Sequence, residues 1–562
     1  MADPSEAAAF SSVAGNTRAS DSTGKRVSAQ HSTVLIRSVM FRHLDATDLV
    51  AIEEHGLSGE EAERQIMLLA SPPPPARLVR PCILGDGIHQ TTANEEQDAA
   101  ATFLRVREAD RLLSFVPASG AASRMFQSLA AARILAGDSN AALEQAAKAG
   151  NADAGDCLST LARIRELAIG EELAVLFGER GLDLDECLRS GRSAEILAAL
   201  LDDRGLNAGE RPKGLLPFHC TESGPRSAFT EHLFEACASI ADGSGRVRLH
   251  FTIAAAHRLA FEAELARARA AIEPILKVSL EVSFSTQSPS TDTLALADNG
   301  ALFRDPDQNI LFRPGGHGSL LGNLEATGGD LVLIKNIDNV APDRLRPQVV
   351  ASRQRLSGLA AWLSEQVHSL TRRLEALNDD EAPAAARDWL NRWAAVPAAA
   401  TGSASAAETR LVLLDALHRP LRVCGMVRNT GDPGGGPFWV RDASGSIRPQ
   451  IVETAQIDPD SDEQQAILRQ STHFNPSDMV CALRDHHGQP HALRDFIDPL
   501  TAFVTTKSNA GRGLRALEHP GLWNGSMAGW LNIFVEIPRE VFLPVKTLAD
   551  LLTDAHRSWA GT

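Results

Sequence analysis

The 562-residue chain contains no tyrosine, so stacking on a flat ligand must come from its 20 Phe, its 7 Trp or an aliphatic side chain. It has only seven cysteines, at 82, 157, 187, 220, 237, 424 and 481. They are scattered, odd in number and never form a Cys-x-x-Cys pair. This spacing excludes a zinc ribbon or a disulfide framework and fits a reducing compartment. No apolar run approaches the roughly 20 residues that span a bilayer. No signal-peptide pattern opens the chain either, so a cytoplasmic protein without membrane attachment is expected. Basic residues are also in deficit. The net charge of −16 is a poor footprint for nucleic acid, whose binding relies on neutralising phosphates. The same charge repels an anionic substrate unless cations are gathered locally.

Lysine is the scarcest cation. Of 55 basic residues only seven are lysine: Lys25, Lys148, Lys213, Lys277, Lys335, Lys507 and Lys546. An arginine bias of this kind follows genome composition, so each lysine kept marks a place where a planar guanidinium will not serve. A compact ammonium on a flexible stem suits a phosphate in a tight pocket.

Length predicts two to three folding units. Residues 1–39, rich in Ala and Ser, read as a disordered tail, with Met40 opening the patterned chain. Residues 40–108 read as a helical segment, in which Gly56 caps one helix and Ser58 opens the next. Residues 109–552 read as one α/β unit with helical insertions at about 138–205 and 352–410, followed by a tail at 553–562. Within it, a strand at 111–116 runs through a small-residue loop into a helix at 125–136, the opening of a nucleotide-binding unit. Strands recur at 248–253, 278–285, 331–334, 422–427 and 533–537 with helices between them. The alternation predicts a mostly parallel sheet wrapped by helices, a Rossmann-like core. The 352–400 region carries Leu356, Leu359, Leu363, Val367, Leu370, Leu374 and Leu377 at three-four spacing. That stripe serves either a homodimer seam or, the favoured reading, packing within its own domain. Residues 397–407 read as a flexible linker.

Two segments carry the chemistry. Arg313-Pro314-Gly315-Gly316-His317-Gly318 exposes backbone N–H groups where a ligand can approach closely. The apolar strand 331–334 then ends in Lys335-Asn336-Ile337-Asp338-Asn339. A carboxylate there lies at the crevice above the ends of parallel strands, where α/β proteins bind ligands. One Asp with phosphate oxygens and waters is a common way to hold magnesium. Near the C-terminus stands Pro538-Arg539-Glu540-Val541-Phe542-Leu543-Pro544-Val545-Lys546-Thr547. Asp485-His486-His487-Gly488-Gln489-Pro490-His491 reads as a hairpin turn between 479–483 and 492–496 rather than a metal site. Arg226, Glu231 and His232 read as a polar helix N-terminus with an open acceptor-binding role, and His250 and His257 as packing residues or caps.

Together these motifs resemble the UDP-sugar pyrophosphorylases, in particular the eukaryotic-type UTP–glucose-1-phosphate uridylyltransferases. Gly434-Gly435-Gly436, Ile451-Val452-Glu453-Thr454-Ala455-Gln456 and Phe474-Asn475 fall between the two segments in the family's order, and the likeness spans roughly 111–552. It implies a nucleotide-diphospho-sugar transferase fold and a Mg2+-dependent nucleotidyltransferase. The partners implied are a nucleoside triphosphate (UTP in the family) and a sugar 1-phosphate or similar phosphorylated acceptor. Carried over residue by residue, Asp338 holds the metal, and Lys546, Lys213 and Arg124 serve the phosphates. Ser119, Gly120 and Ala121, with Gly315, Gly316, His317 and Gly318, bind the nucleotide. Glu453 and Asn475 contact the sugar, and Asn336, Lys335 and Lys507 are further substrate-binding candidates.

The chain departs from the family pattern in places. Ala122 stands where the family's loop has glycine, a long helical stretch separates that loop from Lys213, and the family's C-terminal β-helix has no counterpart. The block Leu517–Met527 matches nothing assigned in the family, which implies a divergent branch. Two alternatives stay open: a nucleotide-binding regulatory protein without turnover, motivated by Ala122, and a glycosyltransferase on the same fold.

Overall fold

The structure is a computed structural model, and it describes residues 44–135, 140–397, 400, 405–431, 434–509 and 511–557. The expected tail at 1–39, Met40, Lys25 and most of the expected linker at 397–407 lie outside these residues. The first two helices, Ala46–His55 and Gly59–Ala70, begin and end where local chemistry dictates. Asp45 and Ser58 accept hydrogen bonds from Asp48 and Glu61 N–H groups, and Gly56 closes the first helix at φ 100°.

The main sheet is assembled from strands that lie between Ile83 and Glu536. In order come β1 (Ile83–Leu84), β2 (Gly87–His89), α1 (Ala93–Glu108), β3 (Leu112–Pro117), α2 (Ala228–Ile240), β4 (Arg246–Thr252) and β5 (Ser279–Ser285). They are followed by α3 (Leu321–Ala326), β6 (Leu331–Ile334), α4 (Arg346–Glu375), β7 (Leu421–Arg428), β8 (His473–Phe474), β9 (Met479–Ala482) and β10 (Leu531–Glu536). The spatial order is β1-β2-β10-β7-β9-β6-β3-β4-β5, with β8 on β7. Every pairing is parallel except those made by β8 and β9. The expected strands appear within two residues of their predicted bounds, and the mostly parallel sheet is present.

Two expectations need correction. The segment expected to be helical at 40–108 also holds, among its described residues, β1 and β2, which extend the sheet beyond β10. Helix α1 also packs so closely on α4 that a Cβ at Gly358 would collide with the Ala99 carbonyl. Residues 479–482 are an interior antiparallel strand, buried between β6 and β7, and not one arm of a hairpin. The other arm is a short 3-10 turn, Leu493–Phe496. The turn between them does close, since Arg484 pairs with Pro490 and the Asp485 carboxylate accepts from the N–H groups of His487 and Gln489. The leucine stripe of α4 packs within the chain's own core, the favoured of its two readings. Leu356, Leu359, Leu363, Val367, Leu370 and Leu374 are buried there, while Leu377 lies past the helix end and is exposed.

One apolar cluster lies on the α1/α2/α4 side of the sheet and a second on the α3 side. The four residues of β6 are all buried, each contributing about 1.5–3 kcal/mol of hydrophobic stabilisation. This anchors the turn that follows at the C-terminal edge of the parallel strands. Among the described residues no helix is long and apolar enough to cross a membrane.

Candidate active site

Strands β3 and β6 pair in parallel, Leu112 with Leu331 through Phe115 with Ile334, so the loops that leave them emerge side by side. The loop after β3 is held by three backbone contacts from a distant segment. Ala121 bridges Pro212, Ala122 N–H donates to Arg211 O (3.0 Å), and Lys213 N–H donates to Gly120 O (3.0 Å). The helical insertion therefore returns the chain to the loop it left, and the sequence gap before Lys213 closes in space. Ser119, Gly120, Ala121 and Arg124 are exposed on this loop. A Cβ at Gly120 would meet nothing within 4 Å. Ala122 is buried in the core cluster, so its methyl group does not line the mouth of the loop.

The turn after β6 is met from the other side by the C-terminal motif. Asn339 bridges Pro544, Val545 N–H donates to Asp338 O (3.0 Å), and Leu543 N–H donates to Asn339 Oδ1 (2.9 Å). The result is a three-residue charge cluster. Lys213 Nζ and Lys546 Nζ both donate to Asp338 Oδ2, each at 2.9 Å. Burial alone would raise the Asp338 carboxyl; the two ammonium charges outweigh it and hold the group below its ordinary value. Burial pushes the Lys213 ammonium below its usual value, an effect that Asp338 only partly opposes. Lys546 is the exposed member, its side chain 62% exposed. Asn336, half-buried, sits in the same turn.

Lys335 points away from this cluster. It is fully buried and donates to both carboxylate oxygens of Glu235 at 2.9 Å, while Arg353 pairs with the same carboxylate and donates to Ser114 Oγ. The expected substrate-binding role of Lys335 is thus replaced by a structural one, because its ammonium has no path to a ligand. His232 supports the turn from the same side. Its Nε2–H donates to Ile337 O at 3.2 Å, and burial pulls its imidazole down to about 4. Glu231 is also buried and is shared by His219, Arg226 and Arg346. Arg226 is paired with Glu231 and with Asp343. His250 bonds Ser283 and Ser285 as a packing residue.

The Gly-His loop is a second locus. Leu522 N–H donates to His317 Nδ1 (2.8 Å), which places the ring proton on Nε2, 3.2 Å from Glu453 Oε1. Asn524 Nδ2 donates to the same Glu453 oxygen, and the Trp523 indole stacks on the His317 ring with centroids 4.0 Å apart. His317 and Glu453 thus meet in space. The glycines, however, serve the protein itself. A Cβ at Gly315, Gly316 or Gly318 would collide with His519, Glu518 or the Pro520 carbonyl. The unassigned 517–527 block is therefore the partner of the Gly-His loop. Its one legible signal was a Trp beside glycines in a chain poor in aromatics. Lys507 pairs with Glu518 on a separate small sheet, and so stands behind the loop rather than with Lys213 and Lys546. Asn475 is buried next to Gly435; its Oδ1 accepts from Ser477 N–H and its Nδ2 has no partner among the described residues.

Comparison with solved structures finds loose likenesses. One is a uridine diphosphate N-acetylglucosamine pyrophosphorylase from Trypanosoma brucei, 13% identical, covering 87% of this chain and 74% of that one, at a TM-score of 0.41. Another is a UDP-glucose pyrophosphorylase variant from Leishmania major in complex with UDP-glucose, 12% identical, covering 87% and 73%, at 0.38. A UDP-glucose phosphorylase from Trypanosoma brucei is 11% identical, covering 91% and 77%, at 0.41. A search of curated proteins finds no match. The model of one protein family spans nearly all of the described chain, residues 45–557, and the chain belongs to that family, described as a domain of unknown function (DUF4301).

Proposed function

We propose that this chain is a nucleotidyltransferase that joins a nucleoside triphosphate to a phosphorylated acceptor and releases pyrophosphate. The observation that carries the reading is the convergence of Lys213 and Lys546 on one oxygen of Asp338 above the ends of parallel strands. Three residues far apart in sequence meet at the edge where α/β sheets bind ligands. Two ammonium groups there offset the −16 charge that would otherwise repel a triphosphate.

The chemistry follows from positioning and charge. An acceptor phosphate oxygen attacks the α-phosphorus, the bond to the bridging α–β oxygen breaks, and its electron pair leaves on pyrophosphate. The acceptor phosphate is already ionised near neutral pH, so no general base is required. Lys213, held by Asp338 and the returning segment, offers a fixed positive charge, and the exposed Lys546 can move from Asp338 onto a phosphate. Preorganised charge of this kind is the main source of rate in phosphoryl and nucleotidyl transfer. The open space above Gly120 leaves room for a phosphate to approach the backbone. The Ala122 methyl is packed in the core, which supports the reading with turnover over one without.

The donor set fits magnesium. Both lysines use Oδ2, and Asp338 Oδ1 accepts no hydrogen bond among the described residues, so one hard oxygen remains for a cation that takes its other ligands from phosphates and water. When bound, the ion would neutralise charge on the phosphates. A sugar 1-phosphate acceptor and a uracil base are what the motif resemblance adds, with the unpaired Asn475 Nδ2 as a sugar-facing donor. The test is pyrophosphate release with magnesium across a panel of nucleoside triphosphates and sugar 1-phosphates. No release with any pair, despite nucleotide binding, sinks the reading; undiminished release in Lys546→Ala sinks the site.

A further inference from the structure

On the α3 side of the sheet, behind the Gly-His loop, lies a cavity of about 670 Å3, within the size range of small-molecule sites. Its walls come from the segment after β5, from Gly318 to Ala326, from the stretch around Arg494, and from His519 and Pro520. Its composition is unlike that of the rest of the chain. The protein has 71 acidic residues against 55 basic ones, yet no Asp or Glu lines this cavity, while Arg64, Arg494 and His519 do. Six serine and threonine hydroxyls complete the polar wall, Ser288 and Ser319 among them. The Arg64 charge is answered by Glu61 through two hydrogen bonds. The Arg494 guanidinium has no hydrogen-bond or ion-pair partner among the described residues, and the residue is exposed beside Gly322. An open guanidinium over a wall of hydroxyls, with no carboxylate among the described lining residues, matches a phosphate joined to a polyol.

We propose that this cavity binds a phosphorylated, hydroxyl-bearing small molecule, with Arg494 on the phosphate and the Ser/Thr hydroxyls on the polyol. None of its lining residues belongs to the Lys213–Asp338–Lys546 cluster, so the proposal stands or falls independently of the nucleotidyltransferase reading. The cavity is nonetheless tied to the Gly-His loop. His519 N–H donates to Gly315 O, and the chain continues through Pro520 to Leu522, which holds His317. A ligand against His519 therefore presses on the segment that sets the His317 ring.

The test is isothermal titration of the full chain, without nucleotide, using glucose 1-phosphate, inorganic phosphate and glucose as separate probes. Glucose 1-phosphate is expected to bind saturably and more tightly than either fragment. Its affinity is expected to fall at least tenfold in Arg494→Ala and further in Arg494→Glu. Arg494 is exposed, so an unaltered Tm separates lost binding from lost fold. Undiminished affinity in both Arg494 variants overturns the proposal, as does the absence of saturable binding. Loss in Lys546→Ala alone also overturns it while leaving the nucleotidyltransferase reading intact. Inorganic phosphate binding as tightly as glucose 1-phosphate overturns the polyol assignment.

Discussion

The two faces of the 335–339 turn hold the same set of charges in opposite surroundings. Below it, Glu235 is shared by Lys335 and Arg353, all three 0–2% exposed. Above it, Asp338 is shared by Lys213 and Lys546, with one ammonium 62% exposed. One carboxylate and two cations make a closed structural brace in the first case and an open, ligand-ready site in the second. Burial rather than residue type decides between them. In the interior every charge must stay paired, because a solitary buried ion is costly. At the mouth a lysine can exchange its carboxylate for a phosphate with little penalty, since exposed ion pairs are individually weak.

The comparison is broken most severely by Lys335→Met, which leaves Glu235 with one cation fewer in the interior. We expect about 3–5 kcal/mol of lost stability by urea unfolding; a loss under 1 kcal/mol would show that Lys335 is not the brace described. Asp338→Ala and Lys546→Ala should do the reverse, with Tm close to wild type for Lys546→Ala and pyrophosphate release lower by at least about 100-fold in both, comparable to removing one electrostatic stabiliser.

Acid should separate the two faces next. The His232 imidazole takes up its proton near 6.5 when unfolded but only at about 4 in the folded chain. The unfolded state therefore binds more protons, and stability is lost as pH falls through that window, by on the order of 3 kcal/mol. Asp338, held below its ordinary value, stays ionised over the same range. A stability-against-pH curve that is equally steep in His232→Gln would rule this out.

The two glycine-bearing loops extend the contrast. Gly318→Ala should cost about 1–3 kcal/mol by steric conflict with Pro520. Gly120→Ala should leave Tm unchanged and affect only nucleotide affinity. The smallest effect is expected for Lys507→Met, under about 1 kcal/mol with unaltered turnover, because its ion pair with Glu518 is partly solvated.

Much of this was legible in the chain. The apolar run Leu331–Ile334 and its polar ending marked the central strand and its turn, since a strand buried on both faces reads as a continuous hydrophobic run. Lysine scarcity singled out Lys213 and Lys546, and also Lys335 and Lys507, without telling them apart. All four stand next to turns or strands of similar composition, and only the packing around each shows which ammonium is free. The antiparallel strand Met479–Ala482 was mistaken for a hairpin arm because strand direction leaves no mark on local pattern. The glycines of the Gly-His loop looked like room for a ligand because the 517–527 block that fills that room lies some 200 residues away.

By itself, the sequence determined the periodicities, the strand positions and the identity of the residues able to handle phosphate, because these depend on local composition and on the chemistry of single side chains. Tertiary structure alone decided that the insertion returns Lys213 to its loop, that Lys546 meets Asp338, that Lys335 is buried, and that a cavity free of carboxylates lies behind the Gly-His loop. Each of these is a contact between distant segments. Their energy comes from burial and pairing across the sheet, which no local window of the chain contains.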